Sequence, residues 1–236
     1  MKPIFILFFV FLFINNTTFA QANCVQFFPI GNITSIAESD NILWLGTTDD
    51  GLVKFDKINL TSQYFDTTNT IMNSNHIEAT YIHNSKLYIS TANRLISYEN
   101  GNFSVVNDTI NGLLIENQQN ELVVVDVEMV YFLQNDQITN QKDLNTIPNT
   151  SPDCCEYNTD ISVDISGNLW ISRYAFYEFD ILKFDGTTWT SFNSSTTSSL
   201  PIDSYQLNGL SSFQNTIFAT SWGGIHKYEQ GIWTNF

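Results

Sequence analysis

The chain has 236 residues, a formal net charge of −15, and 14% charged residues against 14% aromatic ones. This length is enough for one all-β domain with a large core, and the composition favours a packed fold over a disordered chain. The 9 basic residues against 24 acidic ones argue against nucleic acid or an anionic membrane surface as partners. We attribute the acidity to solubility rather than to an acidic binding patch.

Residues 1–20 have the pattern of a secretory signal peptide. Lys2 precedes an uninterrupted apolar run over residues 4–14, and a short polar segment then ends at Ala20. The apolar run is too short to span a bilayer comfortably, and no later run reaches the required length. We therefore expect cleavage after Ala20. We also expect export of residues 21–236, without a membrane span, to the periplasm, the cell surface or the extracellular space.

Export changes what the three cysteines predict. In an oxidising compartment two of them should pair, and the adjacent Cys154 and Cys155 leave one bridge to Cys24. The expected disulfide therefore joins Cys24 to Cys154 or Cys155. A metal or redox site is the alternative, but the chain has no Cys-x-x-Cys pattern and no histidine beside any of the three.

A repeat organises the rest of the chain. Each copy contains four short β-rich runs separated by turn residues, and Asn100-Gly101 is a strong hairpin signal. The central positions of the second run are 44, 36, 46 and 48 residues apart: Trp44, Tyr88, Val124, Trp170 and Phe218. A period of this size with four strands per unit is typical of β-propeller blades. We interpret Trp44 and Trp170 as core residues packed between neighbouring blades.

We therefore predict an all-β fold, a β-propeller of five four-stranded blades that occupies residues 21–236. The repeats cover about residues 30–66, 77–107, 110–139, 160–193 and 205–236. Residues 25–28 predict one more outer strand, although the last copy already has its own at 232–236. Either the ring is closed with one surplus strand, or it is an incomplete ring of a larger propeller.

Several copies share longer motifs. Residues 166–172 are Ser-Gly-Asn-Leu-Trp-Ile-Ser, residues 43–47 are Leu-Trp-Leu-Gly-Thr, and residues 51–56 are Gly-Leu-Val-Lys-Phe-Asp. Residues 189–192 and 233–236 follow Trp-x-x-Phe, and Leu-Pro stands at 200–201. Together these motifs resemble the two-component regulator propeller repeat. The resemblance covers nearly all of residues 21–236 and is most specific in the first, fourth and fifth copies.

The resemblance implies an exported propeller from a Gram-negative bacterium. Some members of that family are the sensor part of membrane-spanning histidine kinases, and others are free secreted or surface proteins. Because residues 21–236 contain neither a membrane span nor a kinase, we do not expect the sensor-kinase role here.

The sequence shows no catalytic constellation. It lacks a Gly-x-Ser-x-Gly elbow, a His-Glu-x-x-His helix and a phosphate-binding glycine loop. His76, His83 and His226 fall at different places in the repeat, and we interpret His226 as an ordinary strand residue. Residues 164–168 resemble part of a calcium loop, but their place in the repeat is a hairpin turn. We predict no catalytic residue, no metal and no cofactor.

One loop departs from the repeat. Most copies have a tight turn between the second and third strands, whereas residues 173–180 are Arg-Tyr-Ala-Phe-Tyr-Glu-Phe-Asp. All such turns emerge on one face of a propeller, and aromatic rings beside an arginine suit a sugar or a peptide. The candidate ligand-binding residues are Arg173, Tyr174, Phe176, Tyr177, Trp222 and Arg94. The alternative is that this loop packs against the neighbouring blade.

The favoured hypothesis is a secreted, non-enzymatic propeller that binds a glycan or a protein partner of unknown identity. An enzyme on a propeller scaffold, such as a polysaccharide lyase or hydrolase, is the alternative from another class, and paired carboxylates near the channel would favour it. A truncated structural fragment is a third hypothesis.

Overall fold

A computed structural model describes residues 31–148, 150, 157–175, 178–193, 196–197, 207–221 and 223–235. Within these ranges, twenty strands form five four-stranded antiparallel sheets, which are the blades of a β-propeller. The helical content of this part of the chain is one 3-10 turn, Leu144–Thr146. None of the described segments forms a helix long and apolar enough to cross a membrane.

Each blade consists of four strands that are consecutive in the chain. Blade one contains β1 (Ile33–Ser39), β2 (Ile42–Thr47), β3 (Leu52–Asp56) and β4 (Thr61–Phe65). Blade two contains β5 (Ile77–His83), β6 (Lys86–Thr91), β7 (Arg94–Glu99) and β8 (Asn102–Asn107). Blade three contains β9 (Leu113–Glu116), β10 (Leu122–Val125), β11 (Met129–Gln134) and β12 (Gln137–Asp143). Blade four contains β13 (Tyr157–Val163), β14 (Leu169–Ala175), β15 (Glu178–Phe184) and β16 (Trp189–Phe192), and blade five contains β17 (Leu207–Phe213), β18 (Thr216–Ser221), β19 (Gly224–Glu229) and β20 (Ile232–Asn235).

The twenty strands of the five predicted blades are present, and most differ from the prediction only at their ends. The largest differences are in blades three and four. β12 continues to Asp143, beyond the predicted end of the third repeat at 139, and β13 begins at Tyr157, before the predicted start of the fourth repeat at 160. Asn100 and Gly101 have φ values of 50° and 86°, so the predicted hairpin signal marks a real left-handed turn.

The first strand of each blade is the innermost one. β1, β5, β9, β13 and β17 contact one another in this order. In four blades the pairing of the first and second strands shifts by one residue near the start of the first strand, at Ser35, Ala79, Asp160 and Gly209. Such a bulge increases the local twist of the strand, and its recurrence shows that the blades share one geometry.

The glycine of the Gly-Thr motif allows two blades to approach closely. A Cβ atom on Gly46 would lie 2.4 Å from Ser35 Oγ and 2.6 Å from Ile77 Cγ2. Ile77 opens the first strand of blade two and is fully buried. A side chain at position 46 would therefore push the first two blades apart.

Four apolar clusters fill the seams between successive blades. We call the side of a blade that faces the next blade its forward side, and the opposite side its backward side. Trp44 and Trp170 project from forward sides and are 5% and 1% exposed, which confirms their predicted place in the core. The Trp170 ring stacks on Phe192, with centroids 5.8 Å apart, and meets the edge of Tyr228 of blade five.

Blade three corrects the sequence alignment by one residue. The predicted central position was Val124, but Val124 clusters with blade two. Val123 packs forward against blade four and therefore corresponds to Trp44 and Trp170. Residues 122–125 are all apolar and fully buried, so alternation along the sequence does not distinguish their two sides.

Among the described residues, the forward side of blade five lacks the neighbouring blade that covers the forward sides of blades one to four. Its aromatic residue Phe218 is only half-buried, and three further apolar side chains on this side are exposed: Phe213 (69%), Ile225 (47%) and Ile232 (59%). No described strand of blade five packs on blade one in the way that successive blades pack on each other. Blade five has its own four strands, and residues 25–28 lie outside the described ranges.

Candidate functional site

The turns between second and third strands share one face of the propeller with the connections between blades. We call this the upper face, and the opposite one the lower face. The predicted long loop at residues 173–180 is wrong in its form, because β14 and β15 continue through most of it. Arg173 pairs with Asp180 and Tyr174 with Phe179 across the two strands. Pairs of opposite charge and of aromatic rings stabilise such a ladder, which explains why the hairpin is extended.

The Arg173 side chain lies in the seam between blades three and four, where only 3% of it is exposed. Its Nη2 donates a hydrogen bond to the carbonyl oxygen of Val127, at 3.2 Å. Burial lowers the pKa of Arg173, and the charge of Asp180 acts in the opposite direction. The sequence predicted an exposed polar group for a ligand, whereas the structure shows a buried contact that holds the hairpin to blade three.

Asp180 is fully buried beside Arg173 and accepts hydrogen bonds from two further side chains. Asn193 Nδ2 donates to Asp180 Oδ1 at 2.7 Å, and Ser191 Oγ donates to the same oxygen at 3.1 Å. Asn193 is itself only 1% exposed. These contacts connect three strands of blade four at the upper face and fix the base of its hairpin.

Of the remaining predicted residues, Tyr174 and Arg94 lie within the described part of the chain. Tyr174 is half-buried in β14, and Phe176, Tyr177 and Trp222 lie outside the described residues. Arg94 lies on the same face but in blade two, and blade three separates it from Arg173. The predicted disulfide between Cys24 and Cys154 or Cys155 also lies outside the described residues.

Arg94 connects two chain segments of the upper face. Its Nε lies 2.7 Å from Asp108 Oδ1, and its Nη1 donates to the carbonyl oxygen of Ile71 at 2.8 Å. Ile71 precedes blade two and Asp108 follows it. Both contacts therefore hold inter-blade connections in place.

A cavity that the sequence did not predict lies on the lower face, between blades three and four. Its volume is about 260 Å³, and polar side chains surround a floor that includes Phe132, Leu169 and Phe184. The polar walls are Asn117, Gln119, Glu121, Asn140, Ser166 and Asp185. These residues occur in four different hairpins, which is why no local motif reveals the cavity.

The carboxylates of this cavity are parts of turns. Asn117 Nδ2 donates to Glu121 Oε2 at 2.8 Å. Hydrogen bonds from Thr188 and Thr187 hold the pKa of Asp185 well below its ordinary value. A glycosidase acid requires the opposite shift, so Asp185 does not suit that role.

The calcium-like stretch at residues 164–168 is confirmed as a hairpin turn. Asp164 is 5% exposed and accepts hydrogen bonds from the backbone of Ser166 and Asn168. Its second oxygen accepts from Trp170 Nε1 at 2.9 Å, so the turn also fixes the blade-core tryptophan. Within the part of the chain that the structure describes, no three His, Cys, Asp or Glu side chains form a group that could hold a metal ion.

Blade five has a hydrogen-bonded chain of three side chains at the upper face. Ser221 Oγ lies 2.7 Å from His226 Nε2, and His226 Nδ1 lies 2.5 Å from Asn235 Oδ1. His226 is 1% exposed, and Ser221 is half-buried. No motif in the sequence indicates this group, because the three residues belong to three strands and His226 resembles an ordinary strand residue.

Comparison with known structures finds similar folds. The extracellular domain of the hybrid two-component system BT3049 from B. thetaiotaomicron superposes with a TM-score of 0.66 at 14% identity, over 89% of this chain and 28% of that one. The corresponding domain of BT4673 gives a TM-score of 0.64 at 18% identity, over 84% and 27% of the two chains. Virginiamycin B lyase from Staphylococcus aureus gives 0.52 at 11% identity, over 86% and 83%.

This chain therefore spans between a quarter and a third of the length of those two extracellular domains. No family model matches the sequence, and no curated protein matches it. The expected similarity to propellers of two-component systems is thus present at the level of the fold.

Proposed function

We propose that this protein is an exported binding module that recognises a glycan or a protein partner through its upper face. The observation that carries this proposal is the hairpin of β14 and β15, which has seven cross-strand pairs where the corresponding hairpins of the other blades have four or five. Its length is not needed for packing within a blade. A long hairpin on a rigid scaffold is a common means of presenting a recognition surface.

The buried contacts at the base of this hairpin support the proposal. Arg173 fixes it to blade three, and Asp180 connects it to Asn193. The two residues that join the strands are Phe176 and Tyr177. Aromatic side chains have few rotatable bonds and lose little conformational entropy when a ligand stacks on them, which favours binding.

Export is the second part of the proposal. Residues 1–20 have the signal-peptide pattern, and extracellular domains are among the similar folds. An exported propeller of a Gram-negative bacterium would meet glycans and surface proteins directly. Amino-terminal sequencing of the protein secreted by such a host should begin at Gln21, and retention of Met1 would contradict export.

The binding proposal is tested with an array of defined oligosaccharides, followed by calorimetric titration of those that bind. Tyr177→Ala and Phe176→Ala should weaken binding at least tenfold, while the melting temperature stays within a few degrees of the wild type. Tyr64→Ala is the control, because its ring is 40% exposed on the outer strand of blade one.

Two further results are informative: the first would count against this site, and the second would identify the kind of ligand that it binds. If the Ala variants bind as tightly as the wild type, the ligand contacts another surface. If no oligosaccharide binds but a purified protein partner does, and the same variants weaken that complex, recognition is of protein rather than of glycan.

A further inference from the structure

The chain Ser221–His226–Asn235 occupies positions where the other blades have different chemistry. His226 pairs with Ala219 on the backward side of blade five. The same position in blades one, two and four is aliphatic: Val53, Ile96 and Leu182. In blade five, a buried imidazole thus replaces the aliphatic side chain that the other three blades have at this position. This replacement is costly unless both ring nitrogens are hydrogen-bonded, and here both are.

The partners of His226 determine where its proton lies. The oxygen of the Asn235 amide can only accept a hydrogen bond, so the adjacent Nδ1 of His226 carries the proton. Nε2 is then unprotonated and accepts the hydroxyl proton of Ser221 at 2.7 Å. This arrangement consists of a nucleophile, a general base and a group that orients the base, which is the pattern of an activated serine.

The hydroxyl of Ser221 has a different role from its counterparts. Thr47 and Thr91 occupy the same position at the end of the second strand in blades one and two. Thr47 Oγ1 donates to the carbonyl oxygen of Gly51 and thus closes its own turn. In blade five the hydroxyl is directed to an imidazole instead, while the backbone N–H of Gly223 donates to Ser221 Oγ at 3.1 Å.

We propose that Ser221 is a nucleophile that accepts an acyl group from an ester, with His226 as general base and Asn235 as the positioning residue. Ser221 is half-buried and Gly223 beside it is exposed, so part of this group is accessible to solvent. Esters of short carboxylic acids are the substrate class. This activity goes beyond the binding role proposed above and does not depend on it.

The ester, water and the two side chains Ser221 and His226 account for every bond and proton in the reaction. Ser221 Oγ adds to the ester carbonyl carbon as its proton passes to His226 Nε2. The tetrahedral intermediate then breaks its bond to the alcohol oxygen, which takes the proton from Nε2. Water, deprotonated by the same nitrogen, attacks the acyl-serine, and the acid leaves as Ser221 regains its proton.

The experiment measures labelling by a fluorophosphonate probe and hydrolysis of p-nitrophenyl acetate by the full-length secreted protein. The wild type should form a covalent adduct on the peptide that contains Ser221. Ser221→Ala should abolish labelling. His226→Val introduces the residue that blade one has at this position, and it should slow both reactions by about 10²–10⁴-fold.

Thr47→Ala is the matched control, since it removes the equivalent hydroxyl from a blade that has no histidine there, and it should label like the wild type. Asn235→Ala tests the positioning role, because it removes the acceptor for His226 Nδ1 and should slow labelling, whereas Asn235→Asp retains an acceptor oxygen and should restore it. Circular dichroism confirms that each variant is folded. Absence of labelling in folded wild type, or unchanged labelling in Ser221→Ala or His226→Val, would overturn the proposal.

Discussion

Arg173 and Asp180 face each other across the hairpin of β14 and β15, and both are shielded from solvent. A charge in such a place is stable only if other groups compensate its lost hydration. Asp180 accepts hydrogen bonds from the side chains of Asn193 and Ser191, and Arg173 donates one to the carbonyl oxygen of Val127. The pair therefore connects blade four to blade three at the base of the upper-face hairpin.

Removal of one member of this pair should destabilise the protein strongly. Arg173→Met retains the length of the side chain but leaves the Asp180 carboxylate buried without a cation. We expect the free energy of unfolding to fall by about 3–5 kcal/mol, measured by urea denaturation. Lys57→Met is the control, because Lys57 pairs with Glu38 at the surface and should contribute less than about 1 kcal/mol. Equal losses in both variants would contradict the interpretation.

Two aromatic residues should differ sharply in their contribution to stability. Trp170→Ala removes a ring that is 1% exposed in the seam between blades four and five, and should cost about 3–5 kcal/mol. Phe213→Ala removes a ring that is 69% exposed, and the change should stay within about 0.5 kcal/mol. Chemical denaturation of both variants checks this contrast. A large loss in the Phe213 variant would show that its side of blade five is covered in solution.

Tyr88 should make the stability depend on alkaline pH. Burial raises the pKa of Tyr88 above its ordinary value of about 10, and Asp136, whose Oδ1 accepts a hydrogen bond from the Tyr88 hydroxyl at 2.6 Å, raises it further. A raised pKa stabilises the folded state below the unfolded pKa, and this contribution is lost as pH rises above about 10. The free energy of unfolding, measured by urea denaturation between pH 8 and 11, should therefore fall more steeply with pH for the wild type than for Tyr88→Phe. Parallel profiles would disprove the assignment.

The cysteines provide a prediction outside the described residues. One disulfide between Cys24 and Cys154 or Cys155 should leave a single free thiol in the oxidised, denatured protein. Thiol titration measures this number directly, and peptide mapping identifies the pair. Closing so long a loop could stabilise the fold by about 4 kcal/mol, so reduction should lower the melting temperature. Three free thiols in the oxidised protein would exclude the bridge.

The architecture could be predicted from the sequence because each blade repeats its own turn and core signals. Gly46, Trp44 and Trp170 belong to local motifs. Such motifs can be recognised within the sequence of a single blade, without knowing how the neighbouring blade packs. Val123 and Val124 show where this fails. Both are buried, so the residue facing blade four could be identified only from the assembled seam.

The details of the site depended on contacts that a sequence does not display. Residues 173–180 were predicted as a loop because aromatic and charged residues interrupt the repeat there, yet the pairing of Arg173 with Asp180 extends the hairpin. The bonds of His226 to Ser221 and Asn235 join three strands of one sheet. Their distances along the chain follow no catalytic motif, so only the register of blade five brings them together.

The uncovered side of blade five also has a consequence for the dynamics of the fold. In a linear array of packed units, each unit is stabilised by its own strands and by the seams that it shares with its neighbours. Blade five shares a seam with blade four, while Phe218 on its other side remains half-buried. Local opening should therefore begin there, and the backbone amides of β19 and β20 should exchange with solvent deuterium before those of β6 and β7. Among the described blades, the free energy of local opening should therefore be lowest in blade five, which contains His226.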